Sequence, residues 1–171
     1  VNIGLAEGPF EDSNGVGSYF DKEAFQGKSL QKQKLATRKD FHTSVVKLAR
    51  HAALHSPKIV VGDGQGALIA IGYGLPGVLE AALGTRNVQR CEAQEMAEAW
   101  GNVTCIVVTN PRMSKTSLGL EKLKAGVPEM FSTDCPVPST RTYGIKVRKA
   151  PHYHEEKQLY DSLNIPLVEN V

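Results

Sequence analysis

Residues 57–70 read Pro57-Lys-Ile-Val-Val-Gly-Asp-Gly-Gln-Gly-Ala-Leu-Ile-Ala70, and this stretch decides the fold. Lys58 to Gly62 is a short, β-branched, apolar run, the pattern of a central parallel strand. It feeds directly into Gly62-Asp-Gly-Gln-Gly66. Beyond the glycines, Ala67 to Leu75 is apolar on every side, as expected of a helix lying under other layers, and it ends near Gly74 and Pro76. Strand, tight turn and buried helix in that order open a β-α-β unit.

The same alternation continues outward. Upstream, Phe41, Val45, Leu48, Ala49 and Ala52 recur at helical spacing, with Asp40 placed as N-cap and Pro57 stopping the helix near His55. Downstream, Glu80-Ala-Ala tilts Val78 to Leu83 toward helix. Ala93, Met96, Ala97 and Trp100 mark an amphipathic helix stopped by Gly101. Val103 to Thr109 is the next strand, closed by Asn110-Pro111, and Leu118, Leu120 and Leu123 mark a helix before Gly126 and Pro128. Tyr143 to Val147 reads as a strand, Glu155 to Leu163 as a helix, and Ile165 to Val168 as an edge strand. At the N-terminus Ile3 and Leu5 suggest a short strand running into Glu7-Gly-Pro9. Glu11 to Lys39 is polar and poor in large aliphatics, which predicts a long loop or flap. The expectation is a single α/β domain over residues 1–171, in three layers, with a mainly parallel sheet and helices on both faces.

Composition narrows the function classes. Of 171 residues, 41% are hydrophobic and 22% charged, the balance of a soluble globular protein. The net charge of +2 calls for neither nucleic acid nor an anionic membrane as partner, and the apolar runs fall short of a membrane span. The aromatic residues are scattered and form no stacking platform for single-stranded nucleic acid. Charge is nevertheless uneven: Lys22 to Arg50 holds eight basic and two acidic residues, and Arg112 to Ala150 eight and three. Two basic segments could converge on a phosphate or carboxylate ligand. Cys91, Cys105 and Cys135 are odd in number and form no C-x-x-C pair, which argues against a disulfide framework or thiolate zinc site and for the cytoplasm or another reducing compartment. Cys105 sits in an apolar run and reads as a core residue. Val1-Asn-Ile-Gly-Leu-Ala lacks the charged start and longer apolar stretch of a signal peptide. Oligomeric state is not legible.

Chemistry concentrates in the glycine turn. Glycines let a strand turn sharply into a helix packed close against it, and the helix N-terminus offers free N–H groups to an anion. The candidate ligand-binding residues are Gly62, Asp63, Gly64, Gln65 and Gly66, with Gly8. Gly62-x-Gly64-x-x-Ala67 also fits the loose dinucleotide fingerprint, but where a strand ending in an acidic residue is required the chain reads Leu83-Gly-Thr-Arg-Asn87. Gly27-Lys-Ser29 lacks the earlier glycine of a phosphate-binding loop. His51 with His55 and His152 with His154 have metal-pair spacing, yet neither pair has a third ligand nearby. No metal or cofactor is expected.

The elbow stretch resembles the nucleophile-elbow segment of α/β-hydrolases, whose esterase and thioesterase members often read G-x-S-Q-G-A. Glu7-Gly-Pro9 resembles the family's strand-and-turn that supplies part of the oxyanion hole, and Gln26-Gly-Lys-Ser29 is faintly similar to its glycine-rich segment upstream of the elbow. The resemblance implies a reduced α/β-hydrolase core, with the backbone N–H of Gln65 and that of Gly8 as oxyanion-type donors. The family's order of acid then histidine implies Asp134 followed by His152 or His154. The nucleophile position holds Gly64, so acyl-enzyme chemistry cannot start there. The leading expectation is a non-catalytic ligand-binding or interaction domain taking a small-molecule or anionic ligand. The alternatives are an active serine hydrolase using another nucleophile, such as Ser114 or Ser132, and a nucleotide- or phosphate-binding module.

Overall fold

In a computed structural model of the chain, residues 2–11, 14–21, 29–132, 141–146 and 152–169 are described. Four parallel strands form the sheet: β3 (Ile59–Asp63), β4 (Cys105–Thr109), β5 (Thr142–Ile145) and β6 (Leu167–Val168), side by side in chain order. Register runs Val60, Ile106, Thr142 across one row and Gly62, Val108, Gly144 across the next. Two further strands, β1 (Phe10–Glu11) and β2 (Gly17–Ser18), make a separate antiparallel pair.

The helices among the described residues are α1 (Leu30–His55), α2 (Gln65–Gly74), α3 (Pro76–Thr85), α4 (Arg90–Asn102), α5 (Leu120–Gly126) and α6 (Tyr153–Ser162), with a 3-10 turn at Pro128–Met130. Every residue of α2 from Ala67 to Gly74 is buried. It lies between the sheet, where Gly62 and Ala67 nearly touch, and α1, whose Phe41 ring rests against Gly72. The layers are therefore sheet, α2, then α1. Trp100 of α4 donates from Nε1 to the Tyr73 carbonyl at 2.7 Å, and the Tyr160 ring of α6 lies against Gly144.

Covering is one-sided. Val60, Gly62, Ile106, Val108, Thr142 and Gly144 are buried, whereas Ile59 and Val61 are 59% and 73% exposed, and Tyr143, Ile145 and Val168 are exposed on the same side. The cause is strand order. Parallel strands laid down in sequence by right-handed crossovers send every connecting helix to one face; helices on both faces require the order to reverse. The expectation of helices on both faces is thus corrected among the described residues. Among the described residues β3 pairs only with β4 and is an edge strand, not a central one.

Two other boundaries move. The polar segment 11–39 is not one loop: α1 begins at Leu30, capped by Ser29, whose side chain accepts from Lys32 N at 3.2 Å. Residues 30–39 are mostly Leu, Gln, Lys, Ala and Arg, all good helix formers, and their polar surface hid that propensity. Asp40 lies inside this helix, and its Oδ2 accepts from Asp21 N at 2.8 Å. Ile3 and Leu5 are exposed and lie in no strand. No single described helix is long and apolar enough to cross a membrane; α2 and α3 would suffice only together, and they are bent by 98°.

Candidate functional site

The turn after β3 is built by its glycines. A Cβ on Gly62 would fall 2.6 Å from the Gly66 carbonyl oxygen and 2.8 Å from Ala67 Cα, so only glycine allows the strand and α2 to cross this closely. Gly64, the N-cap of α2, has φ 58° and ψ −122°, a backbone conformation unfavourable for any residue with a side chain. Its N–H donates to Thr109 O at 3.2 Å, while its carbonyl accepts from Ala67 N at 3.2 Å and Arg112 N at 3.1 Å.

Arg112 occupies the space that a side chain on Gly64 would use. Its Nε lies 3.2 Å from where a Cβ on Gly64 would stand, with Nη2 at 3.7 Å. Pairing puts it there: Asp63 is in register with Thr109, so the loop after β4 runs beside the turn after β3. Arg112 forms no ion pair among the described residues. A half-buried guanidinium therefore stands over the start of α2, whose first amides, those of Gln65 and Gly66, have no partner within the helix.

Gln65 is a clamp. Its Oε1 accepts from Ser18 Oγ and from Tyr19 N, both at 3.0 Å, and its Nε2 donates to Met113 O at 2.6 Å. The clamp holds the segment after β2 across the glycine turn, where the Tyr19 ring faces Gly66 and the Tyr19 hydroxyl donates to Ala6 O at 2.7 Å. Ser44 Oγ of α1 secures the same segment by donating to Tyr19 O at 2.7 Å. Burial, with the Glu7 charge adding to it, pushes the Tyr19 phenol above its ordinary range.

Comparison with family models, curated proteins and solved structures gives no match.

The structure disperses most of the remaining candidates. Gly8 is buried where Ser18 O would meet a Cβ at 2.1 Å, and its carbonyl accepts from Lys47 Nζ at 3.1 Å. No described contact brings it to Gly64. Asp63 is exposed, and its Oδ1 accepts from Thr109 Oγ1 at 2.7 Å on the open side of the sheet. His152 is the N-cap of α6, and its carbonyl accepts from Glu156 N. His154 is exposed beside the Tyr153 ring. Neither histidine touches the glycine turn among the described residues, and Asp134 lies outside them, as does Cys135. Ser114 closes a local turn, its Oγ accepting from Thr116 N and Ser117 N, and no imidazole adjoins it among the described residues. Ser132 is exposed. His51 and His55 stack at 4.4 Å, and burial, reinforced by the His55 and Lys47 charges, lowers the His51 pKa. Cys105 lies half-buried on the open side of the sheet. Among the described residues no group of three or more His, Cys, Asp or Glu gathers.

Proposed function

We propose that the Gly62 to Ala67 turn is a ligand-binding, non-catalytic form of the α/β-hydrolase elbow, and that the domain uses it to hold a small anionic ligand. One observation carries the reading: Gly64 has the strained backbone of an elbow apex, yet a guanidinium stands where the nucleophile's side chain would be. Converting that position from a hydroxyl to a fixed positive charge exchanges bond-making for charge recognition. A carboxylate or phosphate oxygen above Gly64 would meet the Arg112 guanidinium and the leading amides of α2 together, and charge-assisted hydrogen bonds of this kind are the strong ones. A hydrolase reaction at the elbow lacks its nucleophile and has no histidine beside it among the described residues.

The test is titration of inorganic phosphate and sulfate at low ionic strength, followed through the amide signals of Gly64, Gln65 and Gly66. Saturable shifts that vanish in Arg112→Gln and weaken as salt rises are the expected result. Amide signals that stay in place refute the reading.

A further inference from the structure

On the outer helical layer, away from the elbow, a hydroxyl, an imidazole and a carboxylate stand in series. His42 of α1 is only 1% exposed, and both ring nitrogens are engaged: Nδ1 lies 2.7 Å from Thr85 Oγ1, and Nε2 lies 2.6 Å from Glu129 Oε1. Arg38, one turn earlier on α1, holds the same carboxylate through Nη1 at 2.8 Å. Burial works against ionisation of Glu129, but the hydrogen bonds from His42 and Arg38 outweigh it and hold the carboxyl at about 2. An ionised Glu129 can only accept, so His42 Nε2 carries the proton and, in the neutral ring, Nδ1 presents a lone pair at 2.7 Å to the Thr85 hydroxyl, whose competing acceptor is the Ala82 carbonyl at 3.3 Å.

Thr85, at the exposed end of α3, opens on a shallow cleft of about 220 Å³ lined by Leu35, Arg38, Lys39, His42, Thr85 and Arg86. A nucleophile-to-base contact, a base-to-orienter contact and an adjoining cleft are the geometric marks of nucleophilic catalysis, whatever the fold or residue order. The ring is turned relative to the familiar serine hydrolase arrangement, with Nδ1 toward the hydroxyl and Nε2 toward the acid, and either nitrogen can act as base once the other is held.

We propose that Thr85, His42 and Glu129 form an acyl-transfer site for activated esters or thioesters whose acyl group carries a negative charge. As Thr85 Oγ1 bonds to the acyl carbon, its proton passes to His42 Nδ1, and the imidazolium is stabilised by Glu129. Collapse of the tetrahedral adduct breaks the bond to the leaving oxygen or sulfur, which takes the proton from Nδ1. Water then attacks the Thr85 ester by the same route, giving up one proton to Nδ1 and returning it to Thr85 Oγ1, so that a carboxylic acid leaves and the hydroxyl is restored. Arg38, Lys39 and Arg86 supply positive charge to the substrate's anionic group and to the oxygen on which negative charge develops. The site goes beyond the elbow reading and shares no residue with it.

The experiment compares p-nitrophenyl succinate with p-nitrophenyl acetate on the full chain. A burst of p-nitrophenolate is expected, with the acyl group located on Thr85 by peptide mass spectrometry and succinate favoured over acetate. Thr85→Ser retains the burst and Thr85→Val abolishes it. His42→Gln slows it by at least about 10²-fold, and Arg86→Gln lowers the preference for succinate. Thr85→Val leaves the buried His42 Nδ1 without its partner, so its fold is checked by circular dichroism and by unchanged phosphate-induced amide shifts at Gly64, and Thr85→Ser, which keeps the hydroxyl, carries the comparison if the valine variant does not fold. That check keeps failure here separate from failure of the elbow reading. Acylation confined to lysines, or a burst unchanged in Thr85→Val, or no burst at all, overturns the proposal.

Discussion

The Arg112 guanidinium and Gly64 exclude each other's alternatives: Nε lies 3.2 Å from the point at which any side chain on Gly64 would begin. Placing a serine at the apex therefore meets two costs, the positive-φ backbone and the displaced cation. Gly64→Ser is expected to lose about 1–3 kcal/mol of stability from backbone strain and, in a Thr85→Val background, to give no burst with activated esters. Urea unfolding measures the first and stopped-flow release of p-nitrophenolate the second; a burst in the double variant would show that a base reaches position 64.

Gln65 joins three segments through one amide group, so Gln65→Ala leaves polar partners without a substitute. A loss of about 1–3 kcal/mol is expected, with faster hydrogen exchange at the Tyr19 amide, which loses its acceptor. Unchanged exchange at Tyr19 would remove Gln65 as the clamp.

Glu129 links stability to acid pH. Its folded-state pKa of about 2 lies below the ordinary 4.5, so the carboxylate stabilises the fold above about 4.5 and this contribution is lost as pH falls through about 2. Glu129→Gln should cost about 3 kcal/mol at pH 7 at 1.36 kcal/mol per pH unit. The gap to wild type should narrow continuously below pH 4.5. A gap that is constant with pH would mean that the carboxylate charge is not what matters.

Glu156 has the opposite sign. Burial raises its pKa, the Tyr160 hydroxyl opposing in part, and Oε1 has no hydrogen-bond partner. The folded state favours the protonated acid, so its contribution is full below the unfolded value and is lost as pH rises through the folded one. Glu156→Gln should match wild type at acid pH and exceed it in melting temperature at pH 7. Equal melting temperatures at both pH values would count against a buried carboxyl.

Adjacent valines in β3 should behave differently. Val60 faces α2 and Val61 faces outward. Val60→Ala is expected to cost about 1–3 kcal/mol, and Val61→Thr less than about 0.5 kcal/mol. Comparable losses in guanidinium melts would show that something covers the outer face in solution.

The sequence was informative wherever local chemistry decides structure. The strand at Ile59, the glycine turn, the helix through Met96 and Trp100, and the bend at Pro76 each carry their own periodicity or punctuation. α1 was only half legible, because residues 30–39 are helix formers with a polar exterior and their support comes from Gly126 and Glu129, to both of which Arg38 donates. The sidedness of the sheet was not legible from periodicity: β-branched runs look alike whether one face or two are covered, and strand order decides which. Arg112 could have been found by noting that the loop after one parallel strand neighbours the loop before it. Nothing local joins His42 to Thr85 or Glu129, which lie 43 and 87 residues away in sequence; only Arg38 and His42, four apart on one helix face, hinted at a shared partner.

Laying strands side by side in the order in which the chain supplies them makes the sheet an assembly that grows from one edge. Each strand needs only the edge left by its predecessor, so β3 can be secured by β4 before β5 exists, and the two-residue β6 is added last. No strand must be threaded between two already in place, and every closure spans a single connection. The pairing of Ile59 with Cys105 does not depend on β6, so gain or loss of a whole strand-and-helix unit at that end would change the sheet's width and leave the glycine turn, Arg112 and their register as they are.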